Sequence, residues 1–274
     1  MRAARDQAVG NVVGGERGYT LAELLVGTFI ALTVLMVVFS AVARQGRSAA
    51  YLSGLADAQT TSRGAGQVLA EDLRMAGYGM LGVSDTAGVP PVSVAVAGGI
   101  TTITLRGNYS NVSTTLKIAA AAGSSTITTN APATGSFVVG NLVLVDSGLN
   151  SEVKTITSVS AAGGGGLSIG LNSSLVNAYP LGPDVIQIEV VTYTLQGTVL
   201  KRNNQVVADN VTNFQLQYID QSGNVTSTPG TTLRSGTLNL VAAQPTQLPD
   251  NPTASSTVAT EINMRNLAFR LTTS

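Results

Sequence analysis

Side chains able to perform catalysis are scarce in this chain. Its 274 residues include no histidine and no cysteine, which removes the commonest general base and the thiol nucleophile. Four carboxylates, Asp146, Glu152, Asp184 and Glu189, show no spacing that would pair them. We therefore expect a protein that is not an enzyme, with no catalytic residue, no metal site and no cofactor.

One carboxylate, Glu23, stands directly before a long apolar run. The residues from Leu24 to Ala43 carry no charged side chain, and as a helix they would extend ~30 Å, the thickness of the hydrocarbon core of a bilayer. An unpaired carboxylate inside lipid costs about 3 kcal/mol or more. Glu23 must therefore meet a cationic partner or lie at a wet boundary, so its chemistry is ion pairing.

The residues around Glu23 form a recognisable pattern. The stretch RGYTLAELLVGTFIAL, residues 17–32, resembles the type IV prepilin signal, in which a leader peptidase cuts after a glycine and a hydrophobic helix follows. The resemblance implies cleavage between Gly18 and Tyr19, N-methylation of Tyr19, and Glu23 as the fifth mature residue. The family usually has Phe at the position of Tyr19, and Leu or Ile at the position of Ala22.

Leader removal would create an amine four residues before Glu23. In a packed filament that amine can pair with Glu23 of a neighbouring subunit, which would neutralise a buried charge and set the axial register of subunits. The alternative is an ordinary signal anchor with a glutamate at the interface. The leader lacks an apolar segment before Gly18, and the apolar run is retained after the cut, unlike a Sec-cleaved signal peptide.

Basic residues flank the apolar run on both sides. Arg2, Arg5 and Arg17 precede it and favour a cytoplasmic N-terminus, whereas Arg44 and Arg47 follow it. The charge rule alone is therefore weak. The prepilin resemblance implies the orientation: a single-pass protein of the inner membrane, its head in the periplasm, which later enters a periplasmic or extracellular filament.

The composition limits the remaining classes of function. Charged residues make up 11% of the chain, against about 25% usually, which suits the Thr-, Ser- and Asn-rich surface of an exported β protein. Aromatic residues make up 4%, so the core must consist of Val, Leu, Ile and Ala. The net charge is zero and no basic stripe exists, so we expect no nucleic-acid partner.

The patterns after Glu23 predict one long helix, from residue 20 to about residue 77. Thr20 and Glu23 have the spacing of a capping box, and Leu69 and Leu73 lie on a face that we expect to pack against a sheet. Four glycines lie within the helix: Gly46, Gly54, Gly64 and Gly66. Either they allow the helix to bend or to pack closely, or the helix merely tolerates them. Its end, LRMAGYG (residues 73–79), resembles the same stretch of PilW-like minor pilins, with Gly77 and Gly79 suited to left-handed caps.

Alternating short runs from Met80 onward predict antiparallel strands. The predicted strands of the head are 100–106, 184–196, 198–202, 209–220, 237–242 and 261–271. The segments YTLQGTVLKRN and VADNVTNFQLQYID (193–203 and 207–220) resemble the C-terminal sheet of PilW-type pilins and of the type II secretion pseudopilin J. The turn with Asp220 and Asn224 is either a plain turn or a calcium-binding loop.

The stretch 112–182 has no counterpart in that resemblance. It contains five short β runs, 114–119, 125–128, 136–146, 152–160 and 167–171, with the glycines 163–166 as a hairpin tip or flexible loop. Strands this short at such regular spacing predict a small barrel or sandwich. We interpret the stretch as an insertion, and a docking or adhesive face is one use for it.

Together these features predict an α+β, type IV pilin-like fold. Its parts are a leader (1–18), an N-terminal helix (19–78) with a protruding transmembrane or filament-core half (20–43), a β head (79–111 and 183–274) and the insertion (112–182). The resemblance implies a minor pilin that acts in initiation or at the tip. Its partners would be other pilins, the prepilin peptidase and the inner membrane; a type II secretion pseudopilin or an adhesive module are the alternatives.

Overall fold

The computed structural model describes residues 20–80, 89–220, 222–226, 233–243 and 255–263. The chain divides into two compact units, Met1–Ala50 and Tyr51–Ser274. The described elements are α1 (Leu21–Met75), β1 (Val92–Ala97), β2 (Ile100–Gly107), β3 (Ser113–Thr115), β4 (Thr126–Asn130), β5 (Leu142–Asp146), β6 (Ser151–Ala162), β7 (Gly166–Leu171), β8 (Asp184–Gln196), β9 (Val199–Arg202), β10 (Gln205–Ala208), β11 (Val211–Asp220), β12 (Val225–Thr226), β13 (Leu233–Ala243) and β14 (Ser255–Asn263).

The described part of the first unit is helical from Leu21 onward. Every side chain from residue 20 to residue 50 is exposed. Among the described residues, α1 is the one helix long and apolar enough to cross a membrane, a criterion that an N-terminal signal sequence also meets. The expected helix is confirmed, and by length and composition it suits a membrane anchor or a signal sequence.

In the second unit α1 is held by its apolar face. Leu69 and Leu73 are fully buried, and they share a core with residues of two β-sheets, among them Tyr193, Phe214 and Leu240. Burying a leucine side chain is worth about 2 kcal/mol, so these contacts fix the helix on the sheets. The predicted packing of Leu69 and Leu73 is confirmed.

Two antiparallel sheets form the rest of the second unit. The larger runs β1-β2-β8-β5-β6-β7-β4, with β9 and β3 also paired to β8 and with β10 paired to β9. The smaller has the order β12-β11-β13-β14. A long apolar N-terminal helix with antiparallel sheets is an α+β arrangement, as the sequence predicts.

The strands with clear alternation lie where the sequence places them. In β8 side chains alternate between two faces as the sequence predicts, and Val185, Val191 and Tyr193 of one face are buried. The Gln196–Gly197 turn joins β8 to β9, and Gly197 has a φ of 62°, a conformation that glycine adopts at low cost.

Several strand boundaries differ from the prediction, and three of the described strands are not predicted. β13 is longer at both ends, β5 begins at Leu142 rather than at 136, and β14 begins at Ser255 rather than at Glu261. The part of the expected last strand beyond residue 263 lies outside the described residues. The unpredicted strands are β1, β10 and β12. All three are edge strands of six residues or fewer.

Residues 112–182 have their own apolar core. It contains Val143, Ile156 and Ile169, all fully or almost fully buried, but it also includes Val185 of β8. The first half of β8 pairs with both β3 and β5, while its second half pairs with β2 and β9. The segment is therefore joined to the head through a shared strand, and the predicted glycine tip is the β6–β7 turn.

Candidate functional site

The predicted processing and assembly residues lie at the start of α1. Gly18 and Tyr19 fall outside the described residues. Glu23 is exposed and forms a reciprocal capping box: its carboxylate accepts from the Thr20 amide at 3.3 Å, and its own amide donates to Thr20 Oγ1 at 3.3 Å. The predicted cap is confirmed. It satisfies two backbone donors that the first turn of a helix otherwise leaves unpaired.

The other end of α1 holds a buried carboxylate, Asp72. Tyr193 Oη donates to Asp72 Oδ2 at 2.6 Å, and Arg202 contacts both carboxylate oxygens, through Nε at 2.7 Å and Nη2 at 3.2 Å. Tyr109 Oη donates to the Asp72 carbonyl at 3.2 Å. This cluster, the Asp72 lock, joins the last turns of the helix to β8 and β9.

The ionisation behaviour of the Asp72 lock follows from these contacts. Burial, and then the hydrogen bond to Asp72, raise the pKa of the Tyr193 phenol. The hydrogen bond to Asp72 raises the pKa of Arg202 above its ordinary value, against the opposing effect of burial. Arg202 therefore stays cationic and Tyr193 stays neutral near neutral pH, so both side chains act as hydrogen-bond donors to Asp72.

The glycines after α1 make the junction with β2 possible. Gly77 and Gly79 have φ values of 79° and 74°, which confirms their predicted left-handed caps. The Gly77 amide donates to the Arg106 carbonyl at 2.8 Å. A Cβ on Gly107 would stand 2.8 Å from the Met75 carbonyl oxygen, so only glycine lets β2 approach the helix end this closely.

A second buried carboxylate, Glu152, organises the loop between β7 and β8. It accepts from the amides of Val176 (2.9 Å) and Asn177 (2.7 Å) and from Tyr179 Oη at 3.3 Å, and Lys154 lies 3.2 Å away. Burial works to raise the pKa of Glu152, but the two amides and Lys154 outweigh it, so the pKa is lowered. Glu152 therefore holds the loop as an anion.

A third polar cluster lies beside the point where β8 passes from one half of its sheet to the other. Glu189 accepts from the Tyr109 amide at 2.7 Å and from Gln187 Nε2 at 2.6 Å, and it also accepts from the Ser110 hydroxyl. Gln187 Oε1 accepts from the Val138 amide at 2.7 Å. These bonds occupy the polar groups of a nearly buried stretch, so they serve structure.

The other two of the four carboxylates considered in the sequence lie on neighbouring strands. Asp146 and Asp184 are cross-strand partners in the β5–β8 pair, which the sequence did not indicate. Among the described residues, no three His, Cys, Asp or Glu side chains are grouped as a metal site would need. The side chain of Asp220 lies outside the described set, so the calcium alternative for its turn stays a prediction.

Comparison with known proteins adds no relative. No protein-family model matches the chain, and neither the curated proteins nor the solved structures give a match. The case for a family therefore depends on the residues themselves: the stretch 17–23, the helix end 73–79 and the sheet segments 193–203 and 207–220.

Proposed function

We propose that the chain is a minor pilin of a type IV pilus, similar to the PilW-like family. The prepilin peptidase cuts between Gly18 and Tyr19, Tyr19 is N-methylated, and the mature subunit leaves the inner membrane to join a filament through its apolar helix. Glu23 then pairs with the new terminal amine of a neighbouring subunit. Its length and the 112–182 segment favour a minor subunit, at initiation or at the tip, over the major one.

One observation carries this proposal: the contrast within α1. From Leu24 to Ala43 it is uncharged and wholly exposed, whereas Leu69 and Leu73 in its second half are fully buried in the head. An exposed apolar run of this length is costly in water, at about 25 cal/mol for each Å² of apolar surface. It needs lipid or other apolar helices around it, and a filament subunit meets both in turn.

The finer fold belongs to the same proposal. We interpret residues 112–182, together with the first half of β8, as a small β-barrel carried by the head. Support comes from the pairing path β3-β8-β5-β6-β7-β4 and from the bridge between Leu116 and Thr129, which links β4 back to the chain just after β3. The helix, the two sheets and this segment then make a pilin-like subunit with an added module.

Mass spectrometry of the mature N-terminus tests the processing step. In cells with the prepilin peptidase we expect a chain that begins with N-methylated Tyr19, and in cells without it an uncut chain. Gly18→Val should block the cut because the bulkier residue occupies the cleavage position. The matched control is Gly14→Val, in the same leader, which should be cut normally. A mature chain that begins at any other residue would contradict the proposal.

An adhesive or docking role of the 112–182 segment is the second candidate. Its loops expose large apolar side chains, Leu149, Val176 and Leu181, of which Leu149 is 94% exposed. If they contact a surface, Leu149→Ser with Leu181→Ser should abolish glycan or surface binding by the full chain and leave filament entry unchanged.

Neighbouring genes for minor pilins or for a secretion system distinguish a pilus subunit from a pseudopilin.

A further inference from the structure

The strand β1 forms one end of the larger sheet. It pairs with β2 over its whole length, Val92–Ala97, and among the residues that the structure describes no other strand pairs with it. The other end of the sheet order differs, because the bridge between Leu116 and Thr129 covers part of the outer edge of β4. The outer edge of β1 therefore has no partner strand in the described part of the chain.

The sequence of β1 has none of the features that commonly protect an edge strand from pairing, such as charges, proline or a bulge. Its six residues, VSVAVA, include neither a charged residue nor a proline, and its register with β2 contains no shift. Valine is enriched in strands, and Val96 is 71% exposed. The edge of β1 is therefore a regular, uncharged template for another strand.

The backbone groups that this edge presents follow from the pairing of β1 with β2. The Arg106 amide donates to the Pro91 carbonyl at 2.7 Å, so the backbone of Pro91 bonds towards β2. The bonding direction alternates from residue to residue along an antiparallel strand. The amides and carbonyls of Val92, Val94 and Val96 therefore point away from β2, so each of these valines offers one donor and one acceptor.

This arrangement of donors and acceptors is complementary to itself. Two copies of β1 can pair antiparallel about a two-fold axis at Val94, which then faces the partner's Val94, while Val92 faces the partner's Val96. Each facing pair exchanges two hydrogen bonds, as the bonded pairs of an antiparallel ladder do. The outward amides and carbonyls of all three valines are then satisfied, and no charged residue lies in either strand.

We infer that two copies of this chain associate through β1, in the register centred on Val94. The valines of both copies then form one continuous row, in which cross-strand pairs of β-branched side chains stabilise the sheet. In each copy the row leads from the buried Val92, through Val94 at the margin of the core, to the exposed Val96. Such an interface is isologous and closes at two copies, and it does not depend on entry into a filament.

Disulfide trapping tests the register. The chain has no cysteine, so Val94→Cys in the full chain places a single thiol beside the two-fold axis. Facing residues of a bonded pair have Cα atoms about 5.5 Å apart, within the range that a disulfide spans. Mild oxidation should therefore convert Val94→Cys into a covalent dimer. Val96→Cys is the matched control: its thiol is more exposed, but its two copies would lie about 14 Å apart along the paired strands, so it should not be trapped.

Sedimentation equilibrium of the full chain in detergent measures the same association without a thiol. The parent chain should form dimers, and Val96→Lys should raise the dimer dissociation constant by about tenfold or more, because it places a charge in the paired edge. The control Val206→Lys changes a valine on β10 that is 56% exposed, and it should leave that constant unchanged.

Four outcomes would overturn the inference. They are a parent chain that stays monomeric, a Val94→Cys chain that is not trapped, equal trapping of Val94→Cys and Val96→Cys, and a dimer that Val96→Lys leaves intact. Selective trapping of Val94→Cys together with loss of the dimer in Val96→Lys alone supports it.

Discussion

Two carboxylates on the same helix lie in opposite environments. Glu23, in the first turn of α1, is exposed and bonds within its own turn to Thr20, three residues away. Asp72, in the last turn, is buried and bonds to Tyr193 and Arg202, which lie 121 and 130 residues further along the chain. The first is held by local geometry and the second by the folded head.

The difference separates a local role at Glu23 from a role in folding the head at Asp72. A capping box uses only Thr and Glu at this spacing at the start of a helix, so the bonds of Glu23 do not depend on the folded head. Asp72 acquires its partners only when β8 and β9 are in place, and a broken buried ion pair is costly. Substitutions at the two positions should therefore affect different properties: stability of the head at Asp72 and, under the proposed function, entry into a filament at Glu23.

The largest expected effect is on the stability of the head. Asp72→Ala should lower the free energy of unfolding by about 3 kcal/mol, because it leaves Arg202 and the Tyr193 hydroxyl without their buried partner. We place the loss at the low end of the range for a broken buried ion pair, because the Arg202 side chain is 35% exposed. Urea unfolding of the full chain in detergent, followed by a spectroscopic signal of the β-sheets, measures it.

The neighbouring residue provides the control for Asp72. Glu71 is exposed, so Glu71→Ala should change the free energy of unfolding by less than about 0.5 kcal/mol. If Asp72→Ala and Glu71→Ala lower the free energy of unfolding by the same amount, the effect comes from the charge of the helix, and the Asp72 lock contributes nothing to stability.

A second comparison sets Asp72 against Glu152, the buried carboxylate of the 112–182 segment. Glu152→Gln should cost about 2 kcal/mol at neutral pH, since the amides of Val176 and Asn177 lose a charged acceptor. Because the pKa of Glu152 is lowered by folding, its stabilisation is present above the ordinary pKa of glutamate, ~4.3, and is lost as the pH falls through the lower folded pKa.

Urea midpoints between neutral and acidic pH test that dependence. The parent chain should lose stability more steeply than Glu152→Gln as the pH falls below about 4, so the two curves converge in acid. Parallel curves would mean that the Glu152 carboxylate gives no pH-dependent stability, and the loop would then be held by its backbone bonds alone.

The sequence predicts these regions unequally, for a physical reason. The apolar run, the Thr20 cap and the alternation in β8 are local patterns, and the structure confirms each of them. The Asp72 lock and the contacts of the buried Glu152 depend on partners brought together by strand pairing, so no residue spacing in the sequence predicts them. The sequence shows no spacing that pairs Asp146 with Asp184, yet they are cross-strand partners, because the register is fixed by the fold of both strands.

The smallest effect on stability is expected at Glu23. Loss of the capping box in Glu23→Ala should cost about 1 kcal/mol in the first turn of α1, and the urea midpoint of the head should not change. Processing at Gly18 should stay normal. Under the proposed function the same variant should fail to enter filaments, which immunoblots of sheared filaments against whole cells measure.

Glu23→Gln then separates the two uses of this side chain. Glutamine can accept the same bonds from Thr20 as glutamate does in a capping box, but it carries no charge for a neighbouring amine. If pairing with that amine drives entry, Glu23→Gln should be excluded from filaments as fully as Glu23→Ala, although its helix is capped. If Glu23→Gln enters normally, the cap is the property that matters, and the proposed ion pair between subunits is wrong.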